Sequence, residues 1–217
     1  MFKFEDENII VCVKPAGVLS QSSEKEENMI SLLNKYFEQA GKTCVAYPVH
    51  RLDRETSGLI VYAKNSRAAA KLSEQITRNE MKKHYFAVIK GTPEEKSGVL
   101  KDLLFRDKQK NKSYVVKRKR GGVKEASLEY KVIGEKDGLS LVDILLHTGR
   151  THQIRVQFSS RKMPLYGDGR YGGGGGSLAL FAHCLEFRHP VTGEEMCFTA
   201  LPDTEAFPWN GFGDFLR

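Results

Sequence analysis

The sequence predicts an α+β fold, with a mixed, largely antiparallel central sheet flanked by a few helices and loops. Two observations predict it. Short apolar runs bounded by Gly, Pro and Asn follow one another along the 217 residues, which marks strands in succession. Only a few stretches carry apolar residues at helical spacing. The length suits one domain over residues 1–217, with room for two lobes sharing a sheet, and 40% hydrophobic residues supply a sizeable core.

In order, Ile9 to Val13 reads as a strand stopped by the turn Lys14-Pro15-Ala16-Gly17. Asn28 is placed to cap a helix from about Met29 to Ala40. Met29, Leu32, Leu33, Tyr36 and Ala40 repeat at helical spacing, and Gly41 ends it. Leu59 to Ala63 reads as a buried strand, and Ser66 opens a helix to about Arg78 with Ala69, Leu72 and Ile76 as its buried stripe. Lys82 to Lys90 approaches as a basic strand closed by Gly91. Val115-Val116 marks a short strand, and Gly121-Gly122 a turn. From Glu125 to Val132 the pattern alternates, with Ala126, Leu128, Tyr130 and Val132 on one side, as in a half-buried antiparallel strand. Gly138 turns the chain into a strand from Leu139 to Leu146. A helix follows from Thr151 to about Ser160, with Arg150, His152 and Arg155 near its start, an arrangement suited to phosphate or carboxylate. Gly172 to Gly176 lack the Gly-Lys-Ser/Thr ending of a phosphate loop, so a flexible loop is expected there. Leu178 to Phe187 and Met196 to Thr199 are the last strands.

The excess charge is local. Arg106 to Lys124, which includes Lys117, Arg118, Lys119 and Arg120, holds nine Lys or Arg against one Asp, more than the whole chain's net +7. Such a segment is the footprint of a polyanion-binding element, and nucleic acid is the natural partner. Cys12, Cys44, Cys184 and Cys197 show no zinc spacing and are expected to be reduced and mostly buried. There is no apolar signal region and no run long enough to span a bilayer, so a cytoplasmic protein without membrane contact is expected.

One loop concentrates chemistry: His50-Arg51-Leu52-Asp53-Arg54-Glu55-Thr56-Ser57-Gly58-Leu59. Asp53 stands between two guanidinium groups at the mouth of a buried strand, where rigid scaffolds present reactive groups. A plain charged surface turn has the same ingredients.

Four blocks in this chain together resemble the RluA-type family of pseudouridine synthases. They are Lys14-Pro15-Ala16-Gly17, the loop from His50 to Leu59, Lys83-His84-Tyr85-Phe86 through Gly91, and Thr148-Gly149-Arg150-Thr151-His152-Gln153-Ile154-Arg155-Val156 continuing to Asp168 and Tyr171. They occur in family order across nearly the whole chain. Gln157 departs from the histidine often found there, and the run of five glycines is peculiar to this chain. A single catalytic domain is expected, without the small accessory RNA-binding domain that many relatives carry in front, so RNA selection is expected to rest on this domain.

The resemblance implies isomerisation of uridines in structured ribosomal or transfer RNA, with no metal and no nucleotide or other cofactor; a monomer is the default expectation. It implies Asp53 as the carboxylate acting at the ribose of a flipped-out uridine, Arg155 as the cation that keeps it ionised, and Tyr85 as a ring against the base. Arg51 matches the position that fills the gap left in the RNA stack. Thr56, Ser57 and Gly58 shape the turn, and His50 packs or hydrogen-bonds beneath it. Arg54, Lys83, Arg150, His152 and Gln153 are expected to touch RNA or support the residues that do. Two other classes compete: a catalytically silent RNA-binding or ribosome-assembly factor on the same fold, and a metal-dependent hydrolase using Asp53 and Glu55. The second lacks the wider ligand cluster such sites need.

Overall fold

The computed structural model describes residues 2–21, 23 and 26–216. In chain order its elements are β1 (Phe2–Glu5), β2 (Ile9–Lys14), α1 (Met29–Gln39), β3 (Tyr47–Pro48), β4 (Ser57–Ala63), α2 (Ser66–Thr77), β5 (Lys82–Lys90), β6 (Ser97–Asp107), β7 (Lys112–Val116), β8 (Val123–Lys136), β9 (Leu139–Leu146), α3 (Gln153–Ser159), β10 (Leu180–Arg188) and β11 (Glu195–Thr199). A 3-10 helix, Trp209–Phe215, follows. This is the expected class: a large, mostly antiparallel sheet with few helices. The chain divides into two compact units, residues 1–82 with 182–200, and residues 83–181 with 201–217.

In the first unit β2 pairs antiparallel with β4, from Ile9 opposite Ala63 to Lys14 opposite Gly58. β1 lies against β2, β3 against β4, and β11 against β10, all antiparallel. Ile9 to Cys12 and Leu59 to Ala63 are buried without alternation, as strands covered on both faces must be. Asn28 caps α1 by accepting from the Ser31 amide. Its buried stripe is Met29, Leu33 and Phe37, turned by one residue from the expected one, so Ala40 is exposed. α2 is capped by Asn65 rather than Ser66, and Leu72 is buried beside Ala68 and Gln75.

In the second unit the strand order is β5-β9-β8-β6-β7, antiparallel throughout. β8 and β9 are joined by Asp137-Gly138, where the turn was expected. On one face of this sheet Leu104, Ala126 and partly buried Val115 pack against Val156 of α3 and Tyr171. The five-glycine run is not a loose tether. The Gly173 amide donates to the Asp168 carbonyl at 2.8 Å, and a Cβ there would lie 1.7 Å from the Leu165 carbonyl oxygen, so only glycine fits.

The cysteines are free thiols, yet only Cys12 is buried, and burial pushes its pKa up to about 12. Cys197 is exposed. Among the described residues no helix is long and apolar enough to cross a membrane.

Candidate active site

The loop that carries Asp53 is fastened to the segment after β2. The Ser20 hydroxyl donates to the Leu52 carbonyl at 2.8 Å and accepts from the Leu52 amide at 3.0 Å. Two residues on, the Gly17 amide donates to the Arg54 carbonyl at 2.8 Å, and Arg54 Nε donates back to the Gly17 carbonyl at 3.0 Å. The Thr56 amide donates to the Asp53 carbonyl at 3.1 Å, closing the turn ahead of β4. Gly58 then enters β4 with φ of +116°, and a Cβ on it would lie 2.4 Å from backbone atoms of Ala182. No side chain can stand there. The loop therefore leaves the sheet at a fixed point and returns to it at a fixed point.

His50 lies beneath, its Nε2 accepting from the Val61 amide at 3.1 Å, which assigns that nitrogen as unprotonated. Thr56 is buried, and its hydroxyl oxygen has no protein partner among the described residues. Asp53 is half-buried. Its two flanking guanidinium groups do not clamp it. Arg54 pairs with Glu26 at 2.8 Å, and exposed Arg51 reaches Gln21 at 3.4 Å.

Lys14, which sequence reasoning treated only as part of a turn, is coupled electrostatically to Asp53. It is fully buried, and its ammonium donates to the carbonyls of Pro15, Val18 and Arg54 at 2.8, 2.7 and 3.1 Å. Burial lowers its pKa to about 8, opposed by the carboxylates of Asp53 and Glu55. A buried lysine that spends all three protons on carbonyls beneath a charged loop is both a fastener and a source of positive potential.

This gives a pH prediction. Lys14 has a folded pKa of about 8 against 10.5 unfolded. Between those values the unfolded chain holds more protons than the folded one, so stability rises with pH across that window. The cost of burying the charge is fully present below the folded value. Relative to a Lys14→Met variant, the wild type is expected to gain up to about 3 kcal/mol between those two pH values. Denaturant unfolding of both proteins at a series of pH values measures it, and parallel profiles would refute it.

In the second unit, Tyr85 is a buried residue of β5 opposite Ile144. The Lys83 ammonium lies near Gly149, and burial lowers its pKa. The loop before α3 is built by Gln153. Its side-chain oxygen accepts from the Thr148 hydroxyl at 2.7 Å and the Arg150 amide at 3.0 Å, and its nitrogen donates to the Ser127 carbonyl at 3.1 Å. Gln153 and His152, expected to touch RNA or to support the residues that do, are both buried, and Gln153 holds this loop. His152 stands in the left-handed region with Nδ1 3.0 Å from the Tyr171 hydroxyl. Arg150 is exposed and donates from Nε to the Glu125 carbonyl.

Arg155 is almost wholly buried and forms a fork with Asp168, Nε to Oδ2 and Nη2 to Oδ1, both 2.7 Å. The expected anion site at the start of α3 is thus met, for Arg155, by an internal carboxylate. Asp168 also accepts from the amides of Arg170 and Tyr171 at 3.2 Å. Tyr171 ties the region together: its hydroxyl accepts from the Ser113 amide at 2.8 Å, and its ring lies 5.4 Å from the Arg155 guanidinium. Neither Asp168 nor Tyr171 was singled out for this role from sequence. Gln157, the departure from the family pattern, is buried and donates to Asp102 at 2.7 Å, which also takes Arg161 at 2.9 Å. Lys117 to Arg120 are exposed between β7 and β8, with Lys119 paired to Glu125 and Arg120 over the Phe105 ring.

The sequence profile described as RNA pseudouridylate synthase matches residues 8–160. The "Uncharacterized RNA pseudouridine synthase YhcT" of Bacillus subtilis is 37% identical, over 88% of this chain and 65% of that protein. A "Ribosomal large subunit pseudouridine synthase D" of Zymomonas mobilis is 34% identical, over 91% of this chain and 67% of its own. The chain thus spans about two thirds of the length of these relatives. Among solved structures, "Human RNA Pseudouridylate Synthase Domain Containing 4" superposes with a TM-score of 0.78 at 23% identity, covering 92% of this chain and 88% of that one, a likeness of fold.

Proposed function

Because the chain belongs to the RNA pseudouridylate synthase family, we propose that it converts uridines of structured ribosomal or transfer RNA into pseudouridine. It would do so as a monomer, in the cytoplasm, without a cofactor. The observation that carries this reading is Asp53. It is a half-buried carboxylate on a loop pinned at both ends, coupled electrostatically to the buried Lys14, inside the segment the family profile matches.

The reaction breaks the N1–C1′ bond, turns the base and forms C5–C1′, with the C5 proton leaving to solvent and N1 taking up a proton in its place. Atoms and electrons balance within uridine, so no oxidant is required. Asp53 either attacks C1′ and is displaced when C5 returns, or removes a sugar proton on the way to a glycal. Both routes need it ionised, and positive potential nearby favours that form. A guanidinium has five donors, more than Asp168 uses, which suits Arg155 to a second carboxylate. Tyr85 packs against the flipped base. Arg51, exposed two residues before Asp53, fills the vacated place in the RNA stack. Arg54, Lys83, Arg150 and Lys117 to Arg120 take phosphates, and Thr56 offers its buried hydroxyl beside Asp53.

The test uses loss of the C5 proton. Ribosomal and transfer RNA transcribed with 5-tritiated uridine is incubated with the protein, and tritium in water is counted. Release that matches pseudouridine found at discrete positions is expected. No release from either RNA pool would overturn the proposal.

A further inference from the structure

We propose that the outer face of the β6–β7–β8 tip is a stacking platform for unpaired nucleobases, so that this element reads bases as well as phosphates. The inference rests on the RNA-modifying reading above and adds to it the class of RNA feature recognised.

Register sets out the face. Phe105 of β6 lies opposite Tyr114 of β7 and Val123 of β8, and Leu103 lies opposite Val116 and Glu125. Directly paired residues of antiparallel strands share a face. The opposite face carries Leu104, Val115 and Ala126, which pack against Val156 and Tyr171. Tyr114, Phe105, Leu103, Val116 and Val123 are therefore turned away from that core. Tyr114 is 37% exposed, and the other four are half-buried. A merely solvated strand face would carry mostly polar groups here; this one carries two rings and three aliphatic side chains, with exposed Glu125 beside Leu103.

Cations already sit on the rings. The Arg120 guanidinium lies 5.0 Å over Phe105, and the Lys112 ammonium lies between two rings, 5.8 Å from Tyr114 and 5.0 Å from Tyr171. Arg106, Lys108, Lys110, Lys117 and Arg118 are exposed around them. Two cross-strand rings with a planar guanidinium over one of them, in a segment with nine Lys or Arg against one Asp, are chemistry for a π-face on an anionic backbone. Phosphate alone would need only the cations. A duplex hides its base faces, so the rings select unpaired nucleotides.

The experiment compares the full chain with Phe105→Leu/Tyr114→Leu, which keeps the apolar strands and removes the rings. The probes are a fluorescein-labelled 12-nucleotide single-stranded RNA and its 12-base-pair duplex, at fixed salt. About a tenfold loss of affinity for the single strand is expected, with the duplex changed less than twofold. A Tyr114→Phe variant, which keeps the ring, should bind as the wild type does. Lys117→Gln/Arg118→Gln should weaken both RNAs alike. Thermal melting of each variant separates lost fold from lost stacking. Equal loss on both RNAs by a folded leucine variant, or no loss, would overturn the platform, as would ring-dependent binding of an acidic peptide in place of RNA. Tritium release by the wild type is scored separately. If it occurs while the rings prove irrelevant, only this inference falls; if it is absent while the rings matter, the isomerase reading falls.

Discussion

Asp53→Asn is expected to lower the single-turnover rate of pseudouridine formation by at least about 10⁴-fold, equivalent to roughly 5.5 kcal/mol in the barrier, while RNA affinity stays within about threefold. The amide is isosteric with the carboxylate, so the turn set by the Thr56 amide and the Ser20 bracket survives. What is lost is the negative oxygen that either attacks C1′ or removes a sugar proton. An interaction made only in the transition state lowers kcat without changing binding. Losing the charge should also relieve the upward pull that Asp53 exerts on the Lys14 pKa, a small structural signature of the substitution. Tritium release and filter binding on the same preparation decide the matter. Turnover at the wild-type rate would remove Asp53 from the chemistry.

Asp168→Ala is expected to cost about 3–5 kcal/mol of stability, because it takes both oxygens of the fork away from a buried guanidinium. For a chain of this size that corresponds to a fall in Tm on the order of 10 °C. The carboxylate and the guanidinium are nearly excluded from solvent, so water does not screen the loss. The damage also spreads, since Asp168 holds the amides of Arg170 and Tyr171, and Tyr171 in turn holds the Ser113 amide on β7. Replacing both charged partners, as Arg155→Met/Asp168→Leu, should recover part of the stability, because both halves of the fork are removed together. Denaturant titrations of the single and double variants measure the coupling. A loss below about 1 kcal/mol for Asp168→Ala would mean the pair is worth no more than a surface one.

The parts of the fold legible in sequence are those where pattern and packing agree. β9 runs over the residues its apolar run marked, and β8 shows Ala126 and Leu128 buried on the side their alternation assigned. β6 was not legible, because Asp102 occupies the inward face among apolar neighbours. It is tolerated there by Gln157 and Arg161, whose positions no local pattern announces. At the site, the loop around Asp53 stood out for its density of charge and small residues. The partner of Arg155 did not: Asp168 lies thirteen residues on, beside a glycine run whose tight packing against Leu165 is a tertiary fact. Lys14 was read as turn chemistry because a lysine is ordinarily solvated. Its burial follows only from the three carbonyls folded around it.

The Ser20 bracket and the reciprocal Gly17–Arg54 bonds join two stretches of main chain more than thirty positions apart into a single stiff piece. Such a piece cannot bend to suit differing partners. Accommodation must then come from the long outward side chains, Arg51 above all, which can swing to meet one RNA contour or another while the carboxylate two positions along stays at its post.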